Sequence, residues 1–470
     1  MGIDLAGLSW ARLALVVALL YLPWLAFYRL YWHPLARFPG PPLAALTRWY
    51  EAYYDVVCGG HPCELHVNDP AFYKQLYTQD GRWDKYGWAT AAFGAPTATL
   101  HTLDSYQHKR RRAALNPFFS KANVNHRVIG SMTEKLCRRL SALPSGETIN
   151  LGNAISALTR DIATEVLIGG SFNHLEADDF HAELATLQQN GGEIWRTTKH
   201  IRWFGPLMQS LPLSVVEKLG DKGLLNFLSY IEWGMMKITQ DILSQFQASG
   251  DEFSLGKGEH APTIVHQVLA SDLPPSDKAF EHLSEEVMTV TSAGMETTAN
   301  SLRVTTYHIF NSPDVLRHLR EELTASSVDL SDLETKDGAH LATLEASPYL
   351  TAVLMEGLRL STPIASRSQR IAPDRELQYR QWRIPAGTPV GMTLLLMHRD
   401  ENLYPEPSKF DPGRWLDTWA EIYIVIATLV QRFDLQFDGV GLLDVEPVSD
   451  KWMAATARQN GFKALVTPRL

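Results

Sequence analysis

The sequence predicts a mainly α-helical protein with a small β region. Apolar residues recur at steps of three and four, the spacing of one helix face, in SMTEKLCRRLSAL, ISALTRDIATEVLIGG, DFHAELATLQQN and GLLNFLSYIEWGMMKITQDILSQFQ. Strand-like runs are few, chiefly WRIPAGTPVGMTLLL and the final KALVTP. With 470 residues, 45% of them hydrophobic, the chain can bury one large core. No repeat or linker interrupts it, so residues 46–470 are predicted to form a single domain.

The N-terminal segment predicts a membrane anchor. Residues 5–28 contain one charge, Arg12, and are about as long as the roughly 20 residues that cross a bilayer. Basic residues follow this segment and almost none precede it, which predicts a single pass with the domain facing the cytosol, at the endoplasmic reticulum. A cleavable signal peptide is the alternative, but no small-residue cleavage site follows the apolar run. The Pro-rich RFPGPP predicts a stiff elbow over residues 29–45.

Composition excludes some functions. The net charge of −9 argues against a nucleic-acid binder, which needs a basic surface to displace counterions from phosphates. Three cysteines, Cys58, Cys63 and Cys137, are too few for a disulfide framework and indicate a reducing compartment. The segment CGGHPC has two thiols and a histidine, but a structural zinc needs four ligands and no second pair exists, so no metal site is predicted.

A long apolar helix is predicted from Glu285 to Phe310. Gly294 weakens a helix interior by about 1 kcal/mol relative to alanine, and Thr297 can bond back to the carbonyl four residues earlier. The loosened turn would place the acid Glu296 beside the Thr297 hydroxyl. This pair can pass protons to a group bound against Ala293 and Gly294. The alternative is an ordinary helix with an incidental glycine and threonine.

Two further segments concentrate charge. In EGLRL, Glu356 and Arg359 lie three apart on one helix face as an ion pair, and Arg414 in FDPGRW can complete a Glu–Arg–Arg cluster. An ordinary surface salt bridge is the alternative. In HKRRRAALNPFFS, the spacing predicts that Arg112 turns inward to meet an anionic group such as a propionate or phosphate. A solvated basic helix face is the alternative there.

Together these segments resemble the membrane-anchored cytochrome P450 monooxygenases of fungi, in the group similar to trichodiene oxygenase. The matching motifs are HKRRRAALNPFFSK, AGMETT, EGLR, SRSQR, MHRD and FDPGRW, in family order along nearly the whole chain. The resemblance implies the cytochrome P450 fold and a haem cofactor. It implies that Glu296 and Thr297 deliver protons and that Ala293 and Gly294 form the oxygen groove. It also implies haem-propionate contacts from His108, Arg112 and Arg370, and a structural triad of Glu356, Arg359 and Arg414.

The chain departs from the family at one loop. Family members hold the haem iron through a cysteine in Phe-x-x-Gly-x-Arg-x-Cys-x-Gly, between the FDPGRW turn and the L helix. Here WAEIYIVIATLVQRFDLQF, the L helix with its following strand, begins at Trp419, and the loop is missing between residues 415 and 419. Because thiolate donation favours O–O cleavage, the loss removes the axial ligand and the chemistry with it. His398 is a conceivable substitute, but it belongs to the structural HRD turn.

Three functions therefore remain open. The chain is an inactive monooxygenase homologue of secondary metabolism; this is the interpretation we favour. Alternatively, the protein is an active enzyme that oxidises a hydrophobic terpenoid or polyketide with electrons from a membrane NADPH-cytochrome reductase, and a wrong gene model removed its cysteine loop. In the third, the helical shell binds an apolar ligand or a partner and catalyses nothing.

Overall fold

The computed structural model describes most of the chain: residues 10–57, 65–90, 94–120, 126–186, 198–203, 207, 215, 218, 235–249, 262–326, 328, 339–416, 424–451, 453–456 and 462–469. The expected architecture, mostly helical with small sheets, is confirmed. The contacts group the chain into two compact units. One contains Met1–Asp84 and Gln369–Met392, and the other contains Lys85–Ser368 and Thr393–Leu470. The single domain over residues 46–470 stays a prediction from the sequence.

The helices are α1 (Trp10–Phe27), α2 (Pro42–Leu46), α3 (Trp49–Val56), α4 (Tyr73–Leu76), α5 (Gly87–Thr90), α6 (Ser105–Leu115), α7 (His126–Ser141), α8 (Leu151–Ile168), α9 (Lys237–Ser249), α10 (Ile264–Leu269), α11 (Phe280–Phe310), α12 (Pro313–Ala325), α13 (Ala339–Glu345), α14 (Pro348–Ser361), α15 (Leu394–His398) and α16 (Ile424–Arg432). The strands are β1 (Leu65–His66), β2 (Asp84–Lys85), β3 (Thr148–Asn150), β4 (Arg370–Ile371), β5 (Leu377–Tyr379), β6 (Trp382–Ile384), β7 (Pro389–Gly391), β8 (Phe433–Phe437), β9 (Pro447–Lys451), β10 (Met453–Thr456) and β11 (Lys463–Pro468).

In the first unit, short strands from distant parts of the sequence pair with one another. Strand β7 pairs in parallel with β1 and antiparallel with β4, while β5 and β6 form a hairpin. The predicted strand run WRIPAGTPVGMTLLL is confirmed for β6 and β7. Its last part is helix α15 instead, because a short apolar run fits a buried helix as well as a strand.

The predicted anchor at residues 5–28 is not supported. Helix α1 covers most of it and contains Pro23, while residues 5–9 lie outside the described part of the chain. Among the described helices, none is both long and apolar enough to cross a bilayer. The 18 residues of α1 rise about 27 Å, slightly less than a hydrocarbon core of about 30 Å. In the predicted elbow, a π-helical turn at Tyr28–Trp32 follows α1, and α2 begins at Pro42.

In the second unit, α11 is the central helix and packs on α8 and α14. These helices share a hydrophobic core with α7, α12 and α16, whose fully buried members include Leu140, Leu158, Ala299, Leu319, Leu350 and Leu429. Strand β11 lies between β3 and β8 and pairs antiparallel with both. The predicted strand KALVTP coincides with β11. The predicted helix stop also holds, since α8 ends at Ile168 and Gly169 follows in the left-handed conformation, with φ 72°.

The remaining helix predictions concern three segments. The segment DFHAELATLQQN and the start of GLLNFLSYIEWGMMKITQDILSQFQ lie partly outside the described residues, and α9 covers the end of the latter. The segment after FDPGRW is helical from Ile424 and continues directly into β8, as predicted for the L helix and its strand. Residues 417–423, which contain the joint before that helix, lie outside the described part.

Candidate functional site

The middle turn of α11 presents its backbone on an accessible face. Ser292, Ala293 and Gly294 are exposed, whereas Thr291 and Met295 on either side of them are buried. The hydroxyl of Thr297 donates to the carbonyl of Ala293 at 2.7 Å, which confirms the predicted back-bond. The helix nevertheless continues without a break from Phe280 to Phe310.

Gly294 is not required by the packing of α11. A Cβ built on this residue would lie 3.9 Å from the Cβ of Ala163 on α8, an ordinary van der Waals distance. An alanine would therefore fit and would stabilise the helix interior by about 1 kcal/mol. A glycine that packing does not require fits a helix surface that a flat group approaches closely.

Glu296 is buried and forms an ion pair with Arg303 on the same helix. One carboxylate oxygen accepts from the Arg303 guanidinium, and the other has no hydrogen-bond partner among the described residues. The guanidinium of Arg303 also donates to the buried Ser156 hydroxyl on α8 at 2.8 Å. The structure therefore joins Glu296 to Arg303 and not to the Thr297 hydroxyl. Sequence reasoning missed Arg303, although its spacing of seven residues puts both side chains on one helix face.

The basic helix α6 corrects the prediction for Arg112. Arg112 is exposed, with its guanidinium 5.3 Å from the centre of the Phe119 ring, and the inward-pointing residue is Arg111. Arg111 donates to the buried carboxylate of Asp277 at 2.7 Å. His108, half-buried, lies four residues before Arg112 and therefore on the same side of α6. The run of five basic residues has no apolar periodicity, so the sequence could not show which one points inward.

The predicted cluster of Glu356, Arg359 and Arg414 comes together in the second unit. Arg359 donates two hydrogen bonds to the Glu356 carboxylate, from Nε at 2.8 Å and from Nη2 at 2.7 Å. Arg414 donates from Nε to the same carboxylate at 3.3 Å. The side chain of Glu356 is 0% exposed and that of Arg359 is 1% exposed, so this is a buried ion pair. The surface salt bridge, the alternative interpretation, is excluded.

Two donors that sequence reasoning missed complete the coordination of Glu356. The Trp415 indole N–H donates at 2.8 Å and the Asp411 backbone amide at 3.0 Å. Burial alone would raise the pKa of Glu356. The hydrogen bonds from Arg359, Trp415 and Asp411 outweigh that effect, and they hold the pKa below its usual value. The sequence contained a signal for the Trp415 contact, because in FDPGRW Trp415 directly follows Arg414, which was predicted to join Glu356.

His398 belongs to the surroundings of this cluster. Its carbonyl accepts from Arg359 Nη1 at 2.7 Å, and its ring Nδ1 lies 3.0 Å from the hydroxyl of Thr362. Burial, with the positive charge of Arg359, lowers the pKa of His398. These contacts match the structural role expected of the HRD turn.

Arg370 lies on β4 of the first unit. Its guanidinium is 5.5 Å from the centre of the Tyr77 ring, and burial raises the pKa of the Tyr77 hydroxyl to about 12. The Tyr77 hydroxyl also donates to the Met392 carbonyl at 3.4 Å and accepts from the Met392 amide at 3.2 Å. The described contact of the Arg370 guanidinium is thus with Tyr77 of its own unit.

The described residues contain no cysteine suited to hold a haem iron. Within the described residues the only cysteine is Cys137, which is buried in α7 among core leucines. Burial raises the pKa of its thiol to about 11, whereas a metal ligand must be deprotonated. Cys58 and Cys63 lie outside the described residues, far in sequence from the L helix. Among the described residues no side chain offers a thiolate for a haem iron, so no oxygen chemistry follows from them.

Comparison with known proteins identifies the family. The cytochrome P450 family model matches residues 41–425. The chain is 34% identical over 504 aligned residues to cytochrome P450 monooxygenase MO6277 of Ascocoryne sarcoides, across 95% of this chain and 96% of that protein. It is 36% identical to cytochrome P450 monooxygenase tpcC of Cochliobolus heterostrophus, across 92% of this chain and 90% of that protein.

A third relative is cytochrome P450 monooxygenase TRI4 of Fusarium sporotrichioides, which is 32% identical across 87% of this chain and 80% of that protein. All three relatives are fungal monooxygenases by name, and each is matched over most of its length. The family resemblance in the motifs is thereby confirmed. The chain belongs to the cytochrome P450 family.

Proposed function

We propose that this polypeptide is a cytochrome P450 homologue of secondary metabolism that does not catalyse monooxygenation. The observation that carries this proposal is the joint after the Glu356 cluster. Trp415 is held on Glu356, and α16 begins at Ile424. The eight residues between them, LDTWAEIY, contain no cysteine and are too few for the family's ten-position cysteine motif. A thiolate ligand drives O–O cleavage in this family, so without it the chain keeps its scaffold and loses its chemistry.

Carbon monoxide tests this proposal. The chain, expressed in membranes, reduced and exposed to carbon monoxide, is expected to give no Soret band at the wavelength typical of thiolate-ligated haem. The reason is that no cysteine lies at the position from which the family ligates iron. An intact fungal cytochrome P450 prepared in parallel is the control and should show the band. A full-strength Soret band at that wavelength from the present chain would contradict the proposal.

A second candidate is an active monooxygenase from whose sequence a wrong gene model has removed the cysteine loop. Two observations favour it. The alignment with the Ascocoryne sarcoides protein is 504 residues long and the chain has 470, so part of that relative has no counterpart here. Both flanks of the joint also remain in frame, as a skipped exon would leave them. The intact enzyme would oxidise a hydrophobic terpenoid or polyketide with electrons from an NADPH-cytochrome reductase.

The genomic DNA across the codons for Trp415 to Trp419 separates the two candidates. An in-frame Phe-x-x-Gly-x-Arg-x-Cys reading there, present also in the transcript, would establish the active enzyme. A transcript that joins these codons directly would support the inactive polypeptide.

Attachment to the membrane of the endoplasmic reticulum, with the domain in the cytosol, stays a prediction from the apolar run that includes residues 13–28. The full chain is expected to remain with membranes after an alkaline carbonate wash, and a variant without residues 1–28 is expected to leave them, because the apolar run would be the attachment. Cell fractionation with immunoblotting measures both. Release of the full chain by carbonate would contradict the prediction.

A further inference from the structure

The segment that contains helix α1 and the predicted elbow is basic, although the chain as a whole is acidic. Residues 5–50 contain four arginines, Arg12, Arg29, Arg37 and Arg48, and no aspartate or glutamate. The whole chain has a net charge of −9. Positive charge concentrated beside an apolar helix is attracted to the anionic lipids of a membrane surface.

An open groove of about 410 Å³ lies where the chain turns after α1. Its size falls within the range of about 300–1,000 Å³ that is usual for small-molecule sites. The residues that line it include no acidic side chain: Leu30, Tyr31, His33, Pro34, Ala36 and Arg37. The groove can therefore accept an anion without repulsion from its own walls.

Three of the lining residues have hydrogen-bond donors. Arg37 donates from Nη2 to the Arg383 carbonyl at 2.6 Å, which holds the guanidinium and leaves its Nη1 without a partner among the described residues. The Leu35 amide donates to His33 Nδ1 at 3.2 Å, so the neutral imidazole carries its proton on Nε2. The Tyr31 hydroxyl is the third donor. One charged and two neutral donors suit a phosphate, whose oxygens accept hydrogen bonds.

Four exposed aromatic side chains form a collar at this groove. They are Trp24 and Phe27 at the end of α1 and Tyr31 and Trp32 in the π-helical turn, and they are 44–69% exposed. The ring centres of Trp24 and Trp32 are 5.7 Å apart, and those of Phe27 and Tyr31 are 5.1 Å apart. Tryptophan and tyrosine are enriched at the membrane–water interface, because an apolar ring with a polar tip suits both sides of it.

Continuity with α1 indicates what covers the collar. Leu19, Leu20 and Leu22 are 60–71% exposed and point to different sides of the helix, since successive residues lie about 100° apart. A helix that is apolar all round is covered by a protein core or by lipid, and this chain leaves most of each leucine uncovered. A lipid surface accounts for the exposed leucines, the collar and the basic groove together.

We propose that this groove binds the phosphate of an anionic phospholipid, with Arg37, His33 and Tyr31 as donors and the aromatic collar in the interfacial layer. This inference rests on the proposed attachment to membranes. It does not require α1 to span the bilayer, since a helix lying in the interface would bring the groove to the same headgroups.

Flotation of the full chain with phospholipid vesicles tests the groove. Vesicles of phosphatidylcholine alone are compared with vesicles that also contain phosphatidylserine, and the unsubstituted chain is expected to prefer the latter. Arg37→Gln should weaken binding to the serine-lipid vesicles by about fivefold, the factor for one arginine near an anionic surface. Binding to phosphatidylcholine alone should not change. Arg37→Lys, which keeps the charge, should retain most of the preference.

Arg48→Gln is the matched control, because it removes the same charge outside the groove. The Arg48 side chain is 52% exposed and lies 3.8 Å from Glu51, so its loss should leave the preference unchanged. An equal loss in Arg37→Gln and Arg48→Gln would overturn the groove, since net charge would then explain the preference. Should Arg37→Gln disturb the contact with Arg383, His33→Leu takes its place and should also lower the preference.

Three further outcomes separate the lipid from its alternatives. Inorganic phosphate at constant ionic strength should leave the serine-lipid preference in place, and its loss would assign the groove to free phosphate instead. Trp32→Ser should weaken binding to both vesicle types by the same factor, because burial of an apolar ring does not depend on headgroup charge. Equal binding of the unsubstituted chain to both vesicle types would overturn the groove and leave the membrane attachment standing. Binding to neither would overturn both.

Discussion

Replacement of Glu356 by alanine is expected to lower the free energy of unfolding by about 3–5 kcal/mol, the range for removing one partner of a buried ion pair. The carboxylate satisfies four donors: Arg359, Arg414, the Trp415 indole and the Asp411 amide. Its loss would leave two guanidinium groups and two N–H groups in or near the protein interior without their acceptor. The unpaired charge of Arg359 contributes most, because that side chain is almost fully buried.

Chemical denaturation followed by tryptophan fluorescence measures this loss. The control is Glu321→Ala on α12, which removes a glutamate that pairs with Arg317 at 3.1 Å. Both of those side chains are more than half exposed, so the control should change stability by no more than about 0.5 kcal/mol. If Glu356→Ala were as mild as the control, the Glu356 cluster would not stabilise the second unit.

The substitution Gly357→Ala is expected to destabilise the contact between α14 and α11 by about 1–3 kcal/mol, as overpacking of a core does. A Cβ at Gly357 would overlap the Thr305 hydroxyl oxygen and would lie 2.9 Å from both Cβ and Cγ2 of Thr305. Thr305 is buried, so relief of this overlap must shift packed neighbours. In an open helix the same change would gain about 1 kcal/mol, so the predicted sign is opposite to helix propensity.

A double-mutant cycle tests the cause of this loss. Thr305→Ala removes the hydroxyl and the methyl group from the overlap, so Gly357→Ala should be less harmful in that background. Gly441→Ala is the control, since a Cβ there meets no atom within 4 Å. Strictly additive effects of the two substitutions would show that the Thr305 contact is not the reason.

The elements that could be predicted from the sequence depend on neighbouring residues. Apolar periodicity predicted the helices, and a glycine predicted the end of α8 at Ile168. Strand β11 was predicted because KALVTP, near the end of the chain, is a strand-like run. The division into two units could not be predicted, because it depends on residues 369–392 returning to strands some 300 positions earlier, as the pairing of Val390 with Leu65 shows.

The candidate site shows the same limit. Glu356 and Arg359 could be paired from their spacing, because three residues along a helix make neighbours. The residue of α6 that points inward could not be identified from the sequence. Arg111 is held there by its hydrogen bond to Asp277, which lies 166 positions away in the sequence. Glu296 was predicted to act with its neighbour Thr297. The structure joins it to Arg303, because adjacent helical residues point in directions about 100° apart.

Because Trp415 is hydrogen-bonded to Glu356, a longer connection between Trp415 and α16 would have to start from this fixed point. One end of the connection is fixed at Trp415, and the other is fixed where Val425 and Ile426 enter the core. For a segment between fixed ends, closure entropy grows only logarithmically, by about 0.6 kcal/mol for each doubling of length. The scaffold could therefore accept a connection of twice the present length by insertion at this single place, with both attachment points already folded.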